Sequence, residues 1–201
     1  MIYGIKRVGA REEIASAPRL SVGDYRWLGG YTPEVRAAVV FVAGEGFAIR
    51  MECAEAEPLA LCREPDGPVC RDSCMECFIN FAPERDGRYI NLEANALAAL
   101  HCKIGEGRKG RQALRELGVP MPSVCAHVGE AGWRLDFFVP LACVQALYGK
   151  AAFSPGDVIR ANFYKCGDGT PQPHYGMWRG IESPVPDFHR PEFFGELIIR
   201  E

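Results

Sequence analysis

A chain whose side chains alternate between apolar and polar over seven or more residues can bury one side only if it is extended, because extended chains repeat every two residues and helices every 3.6. Three stretches here obey that rule. In "SCMECFINF" (73–81), Met75, Cys77, Ile79 and Phe81 fall on one side, and Cys74, Glu76, Phe78 and Asn80 on the other. In "RYINLEANAL" (88–97), Ile90, Leu92 and Ala94 oppose Tyr89, Asn91, Glu93 and Asn95. In "VIRANFYKC" (158–166), Ile159, Ala161 and Phe163 oppose Arg160, Asn162 and Tyr164. Three strands with one apolar face each predict a sheet packed on one side against a second layer.

The remaining punctuation agrees. "RAAVVFVAGEGFAIRMECA" (36–54) holds two apolar runs around Gly44-Glu45-Gly46, a hairpin signal. Asp86-Gly87 marks a turn between the first two alternating stretches. "WRLDFFV" (133–139) and "ELIIR" (196–200) read as further strands, with Trp133 on the apolar side. Two stretches read as helix. "GRQALREL" (110–117) stops at Gly118 with Pro120 beyond, and "PLACVQALYG" (140–149) starts on Pro140 and ends on Gly149. Many short strands with polar turns predict an all-β chain, an immunoglobulin-like or jelly-roll β-sandwich with two short helices. The expected organisation is a single domain over 1–201.

Composition excludes several function classes. A net charge of −3 without a long Lys/Arg run argues against a nucleic-acid surface. The longest apolar run, Ala37 to Ala43, is far too short for a membrane span. The opening "MIYGIKRVGAREE" lacks the apolar stretch of a secretory signal. The chain as written is therefore expected in the cytoplasm, or secreted if a leader has been trimmed. Nothing in it calls for a cofactor.

Nine cysteines, at 53, 62, 70, 74, 77, 102, 125, 143 and 166, raise the question of metal or disulfides. In a strand, Cys74 and Cys77 point to opposite faces, so C-x-x-C here is a poor metal knuckle. No zinc site at Cys70, Cys74 and Cys77 is expected. Most cysteines read as reduced, small apolar residues in a core large enough to stand without staples.

The polar faces of the three strands are rich in Asn, Tyr, Glu and Arg. A solvated outer face is one reading. The other is a ligand surface, since planar hydrogen-bonding groups suit the hydroxyls of a neutral polar ligand and an aromatic plane covers its C–H face. Trp178 in "PHYGMWRG" is the expected platform.

The ordered series "DSCMECFINF", "DGRYINLEANALAAL", "FFVPLACV", "RANFYKCGD", "PHYGMW" and "PDFHRPEFFGELII" resembles the family 9 carbohydrate-binding modules, in particular stand-alone members within the DOMON-like superfamily, over roughly 20–201. The resemblance implies a non-catalytic β-sandwich that binds a mono- or oligosaccharide through tryptophan and polar side chains. Glu76 matches the acidic position of the family's D-S-x-x-E strand. Trp178 matches the tryptophan after the R-A-N-F-Y strand, Arg160 and Asn162 match that strand itself, and Arg88 stands where a basic residue is often found. Asp187, His189 and Arg190 fall in a segment that looks structural. Sugar-sandwiching members carry a second tryptophan before the D-S strand, and "REPDGPVCRDS" has none. Weaker binding, a substitute platform at Tyr89 or Tyr175, or loss of binding would follow.

Two other functions compete. DOMON-like relatives include haem domains, which need an axial His or Met in a pocket. A glycoside hydrolase would need two carboxylates across a scissile bond, and Glu76 and Glu93 share a sheet face.

Overall fold

The computed structural model describes residues 2–27 and 30–201. Its strands are β1 (Tyr3–Val8), β2 (Leu20–Ser21), β3 (Asp24–Trp27), β4 (Val35–Val42), β5 (Gly46–Cys53), β6 (Cys74–Asn80), β7 (Tyr89–Asn95), β8 (Leu100–Gly105), β9 (Gln112–Ala113), β10 (Ser123–Val128), β11 (Trp133–Pro140), β12 (Val158–Cys166), β13 (Tyr175–Met177) and β14 (Gly195–Arg200). Hydrogen bonds join them in the order β10-β11-β5-β4-β1-β14-β12-β6-β7-β8-β9, with β2 on β4 and β13 bridging β12 to β3. The two layers of the sandwich are thus halves of one curled sheet. Strand β1 makes the joint, lying parallel to both β4 and β14; all other pairings are antiparallel.

The alternation places the core where it was expected. Cys77, Ile79, Phe81, Ile90, Leu92, Phe137, Ala161 and Phe163 are all buried between the two halves, against Val39, Ile49 and Met51. Each fully buried Ile, Leu or Phe among them contributes about 1.5–3 kcal/mol of apolar transfer.

The helix expected over 110–117 does not form. Gln112–Ala113 instead pairs with β8, and only a single 3-10 turn, Leu114–Leu117, follows. Leu114 is core, but Leu117 is exposed, so the segment has one anchor and no apolar stripe to hold a longer helix. The second helix is present as α1 (Leu141–Tyr148). Pro140 precedes it, and Gly149 closes it in the left-handed region at φ 68°. It buries Cys143, Val144, Leu147 and Tyr148.

One charged residue interrupts the apolar face of β12. Lys165 is fully buried, and its ammonium donates to the Cys166 carbonyl (3.0 Å) and bonds His174 Nε2 (2.7 Å). Its carboxylate partner is Glu55 at 3.3 Å. His174 is placed to donate from Nδ1 to the Gln172 carbonyl (2.8 Å), which leaves Nε2 as the acceptor. Glu55 also accepts from Trp133 Nε1 (3.0 Å) and Ser73 Oγ (2.9 Å). Removing one partner of such a buried pair strands the other charge. Lys165→Met should therefore destabilise the protein by about 3–5 kcal/mol, lowering Tm by roughly 10 °C at ~2–4 °C per kcal/mol for a chain this long. The double variant Lys165→Met/Glu55→Gln should regain much of that loss in thermal unfolding.

Candidate functional site

The other face of β6, β7 and β12 is not solvated. Glu76, Asn80, Asn91, Glu93, Asn95 and Asn162 are all buried, beneath a second apolar layer that includes Trp27, Ile181, Phe188 and Phe194. That layer is held by specific bonds. Trp27 Nε1 donates to the Ser183 carbonyl (2.8 Å), and Tyr164 OH to the Phe188 carbonyl (3.1 Å). The Tyr164 and Phe188 rings stack at 4.1 Å and 11°.

Polar pairs organise the margins of this face. Asp72, first residue of the D-S-x-x-E run, accepts from the backbone N–H of Leu61 (2.9 Å) and Cys62 (2.8 Å) and from Asn95 Nδ2 (2.7 Å). It fixes the long 54–73 connection against β7. Arg111 lies across Tyr89 at 4.2 Å and donates to Asn91 Oδ1 (2.6 Å) and to the Tyr89 and Gly107 carbonyls. This holds the 105–111 loop, which carries Arg108.

Between floor and roof lies a cavity of about 190 Å³. Glu76 and Phe78 of β6, Glu93 of β7 and Cys166 at the end of β12 form its floor. Cys70, Asp168 and Tyr175 form one wall, and Arg108 with Pro186–His189 the other. Glu76 and Glu93 are direct cross-strand partners, so both carboxyls rise side by side from adjacent strands. Burial pushes the Glu76 carboxyl well above the usual carboxylate range, and the neighbouring Glu93 pushes it further. Burial also raises Glu93, against the opposing effect of His101 and an Asn91 Nδ2 bond of 2.6 Å. Asp168 is raised by burial too. The one arginine on the cavity wall, Arg108, pairs with Asp187 at 2.9 Å.

The expected site residues separate in space. Glu76 lies in the cavity. Trp178 does not: its backbone N–H bonds the Phe163 carbonyl (2.9 Å), and its indole packs edge-on to the Phe163 ring on the main-core side of β12. The Arg179 guanidinium covers it at 4.4 Å, and Gly195 lies so close that a Cβ there would stand 2.5 Å from the indole. Asn162 is used internally, exchanging bonds with the Arg179 backbone N–H and carbonyl at 2.9 Å each. Arg160 donates to the Phe194 carbonyl (3.1 Å). Arg88 pairs with Asp86 and donates to the Leu147 carbonyl (3.0 Å), tying a loop to α1. Tyr89 is buried beneath Arg111, its hydroxyl sharing a 2.8 Å bond with His189 Nδ1.

Of the residues that line the cavity only Glu76 belongs to the expected binding set; Glu93, Arg108, Asp168, Tyr175, Phe188 and His189 lie outside it. The 186–194 segment does act as a clasp, with Asp187 Oδ1 accepting from the His189 backbone N–H (3.1 Å) and Phe194 buried. The same clasp brings Phe188 and His189 into the cavity wall. Burial, with Arg111 and Arg108 nearby, lowers the His189 pKa to about 3. An unfolded chain protonates this histidine below about pH 6.5, whereas the folded chain resists until about pH 3. Stability is therefore lost as pH falls through that window. His189→Gln should raise Tm relative to the parent at pH 4–5 and change it little at pH 8, as read by thermal unfolding across pH.

The profile of carbohydrate-binding family 9 matches residues 13–199. No curated protein matches the chain. Among solved structures, a Bacteroides uniformis protein described as a candidate carbohydrate-binding protein is 27% identical, with a TM-score of 0.79 and 98% of each chain covered. Two structures of a family 9 carbohydrate-binding module from Caldicellulosiruptor kristjanssonii share the fold at 10% identity. The one with cellotriose has a TM-score of 0.70, covering 100% of this chain and 94% of that one. The one with glucose has a TM-score of 0.72, covering 100% and 96%.

Proposed function

This chain belongs to carbohydrate-binding family 9, and from that premise we propose that it holds a sugar ring in the cavity over Glu76 and Glu93. The observation that carries the reading is the juxtaposition of hydroxyl-accepting carboxyls with aromatic edges in one small recess. Glu76, Glu93 and Asp168 accept from ring hydroxyls, while Arg108 donates. Tyr175 and Phe188 cover the C–H face, taking the role first assigned to Trp178. The recess holds roughly six water volumes at ~30 Å³ each, which suits one ring rather than an oligosaccharide buried along its length. The solved family 9 module with glucose and cellotriose supports a β-linked glucan end as the first ligand to try.

The same geometry favours binding over hydrolysis. Hydrolysis requires carboxyls on opposite sides of the bond they cleave. Glu76 and Glu93 stand side by side on neighbouring strands and approach a ligand from one side. A binding module has no transition state to stabilise and needs no such opposition. This recess is too small for haem, since cofactor pockets span about 300–1,000 Å³.

A one-ring site with a few hydrogen bonds of about 0.5–1.5 kcal/mol each gives weak affinity, with Kd on the order of 1 mM or about 4 kcal/mol. Isothermal titration with glucose, cellobiose and cellotriose should detect it. Glu93→Ala and Tyr175→Ala should each weaken binding about tenfold, and Trp178→Phe should leave it within about twofold. Unchanged affinity in Tyr175→Ala, together with loss in Trp178→Phe, would move the site to the other side of β12.

A further inference from the structure

We infer that Cys74, Glu76 and Cys166 form a binding site for a thiophilic divalent cation, zinc being the fitting member, at the base of the cavity. Cys74 and Cys166 are direct cross-strand partners on β6 and β12. Glu76 lies two residues from Cys74, hence on the same face. The two sulfurs and a carboxylate oxygen lie within 4.8 Å of one another, and Cys166 Sγ donates to Glu76 Oε1 at 2.9 Å. All three residues are buried. Sulfur ligands about 2.3 Å from one zinc stand ~3.8 Å apart in a tetrahedron, so convergence needs only small side-chain adjustments.

The divergence of Cys74 and Cys77 is real, and Cys77 lies in the main core. The second sulfur comes instead from a strand far along the chain, which local spacing cannot reveal. Cys70 stands beside the site on the cavity wall, with its carbonyl 3.6 Å from Cys166 Sγ. Two thiolates cancel the charge of a divalent ion, and the one negative charge that the Glu76 carboxylate adds is opposed by the nearby Lys165 ammonium, which matters in a buried site. Two sulfurs select against calcium and magnesium, which prefer all-oxygen shells. On uptake each ligating thiol, and the Glu76 carboxyl where it is protonated, loses its proton to the buffer as its bond to zinc forms, with no change of oxidation state.

The inference goes beyond the sugar reading and does not depend on it, since zinc uptake is measured without sugar. The full chain, reduced and freed of metal, is titrated with zinc chloride, and with cobalt(II) to read the sulfur-to-cobalt charge-transfer band. One equivalent should bind, with a Tm that rises with zinc and falls back on adding EDTA. Cys74→Ser and Cys166→Ser should each weaken uptake at least tenfold, while Cys77→Ser and Cys125→Ser retain it. Should the serine variants at 74 or 166 fail to fold, alkylation of the parent under mild denaturant decides, with zinc protecting Cys74 and Cys166. Lack of uptake by the folded, reduced chain would overturn the site. So would unchanged affinity in Cys166→Ser, protection confined to other cysteines, or a Cys74–Cys166 disulfide that persists in reductant and excludes zinc.

Discussion

The buried ammonium of Lys165 is the interaction on which the arrangement of the two layers depends. It sits at a position where β12 otherwise presents Ile159, Ala161 and Phe163 to the core. A charge there is tolerable only if its donors are occupied, and they reach three separate segments: the Cys166 carbonyl, His174 beyond β12, and Glu55 beyond β5. Glu55 in turn reaches Trp133 on β11 and Ser73 before β6. One hub therefore fixes the two halves of the sheet relative to each other at the end from which the 54–73 connection departs. Apolar packing alone specifies contact but not position, whereas hydrogen bonds to a buried ion specify both.

That fixed connection matters for the cavity. The Asp72-Ser73 pair faces both ways, Asp72 binding the 61–62 backbone and Asn95, and Ser73 bonding Glu55 and the Leu59 N–H. Cys70 consequently stands at the cavity wall just before Glu76 reaches the floor. On the opposite margin Arg111 performs the corresponding task for the Arg108 loop. The carboxyls are thus held by a frame of neutral or internally paired groups. Burial outweighs the opposing cations, Lys165 for Glu76 and His101 for Glu93, and keeps their proton affinity high.

The period-two pattern made the core legible, because three long strands carry it without interruption and a one-residue slip would have exposed all of it. The same pattern grouped Glu76 with Glu93. Two kinds of feature were not legible. Trp178 follows a three-residue strand, β13, and its direction is set by the close pass of Gly195 rather than by any local repeat. The roof over the polar face comes from 181–194, a segment with little regular structure, so the sequence could not show that amides on three strands would be covered. The 110–117 misreading has a third cause. Good helix formers there lost to a pairing with β8 and a single buried leucine.

Strand β1 lies between β4 and β14, the latter formed by residues 195–200. The joint of the curled sheet therefore requires two segments almost the whole chain apart to meet. During synthesis β4 and β5 can pair early, but one edge of β1 waits until β14 has left the ribosome. Closure of so long a loop makes the last step of folding slow, and until then an unpaired edge beside apolar side chains is available to other chains. Competition between closure and aggregation is thus set by the order in which the strands are made.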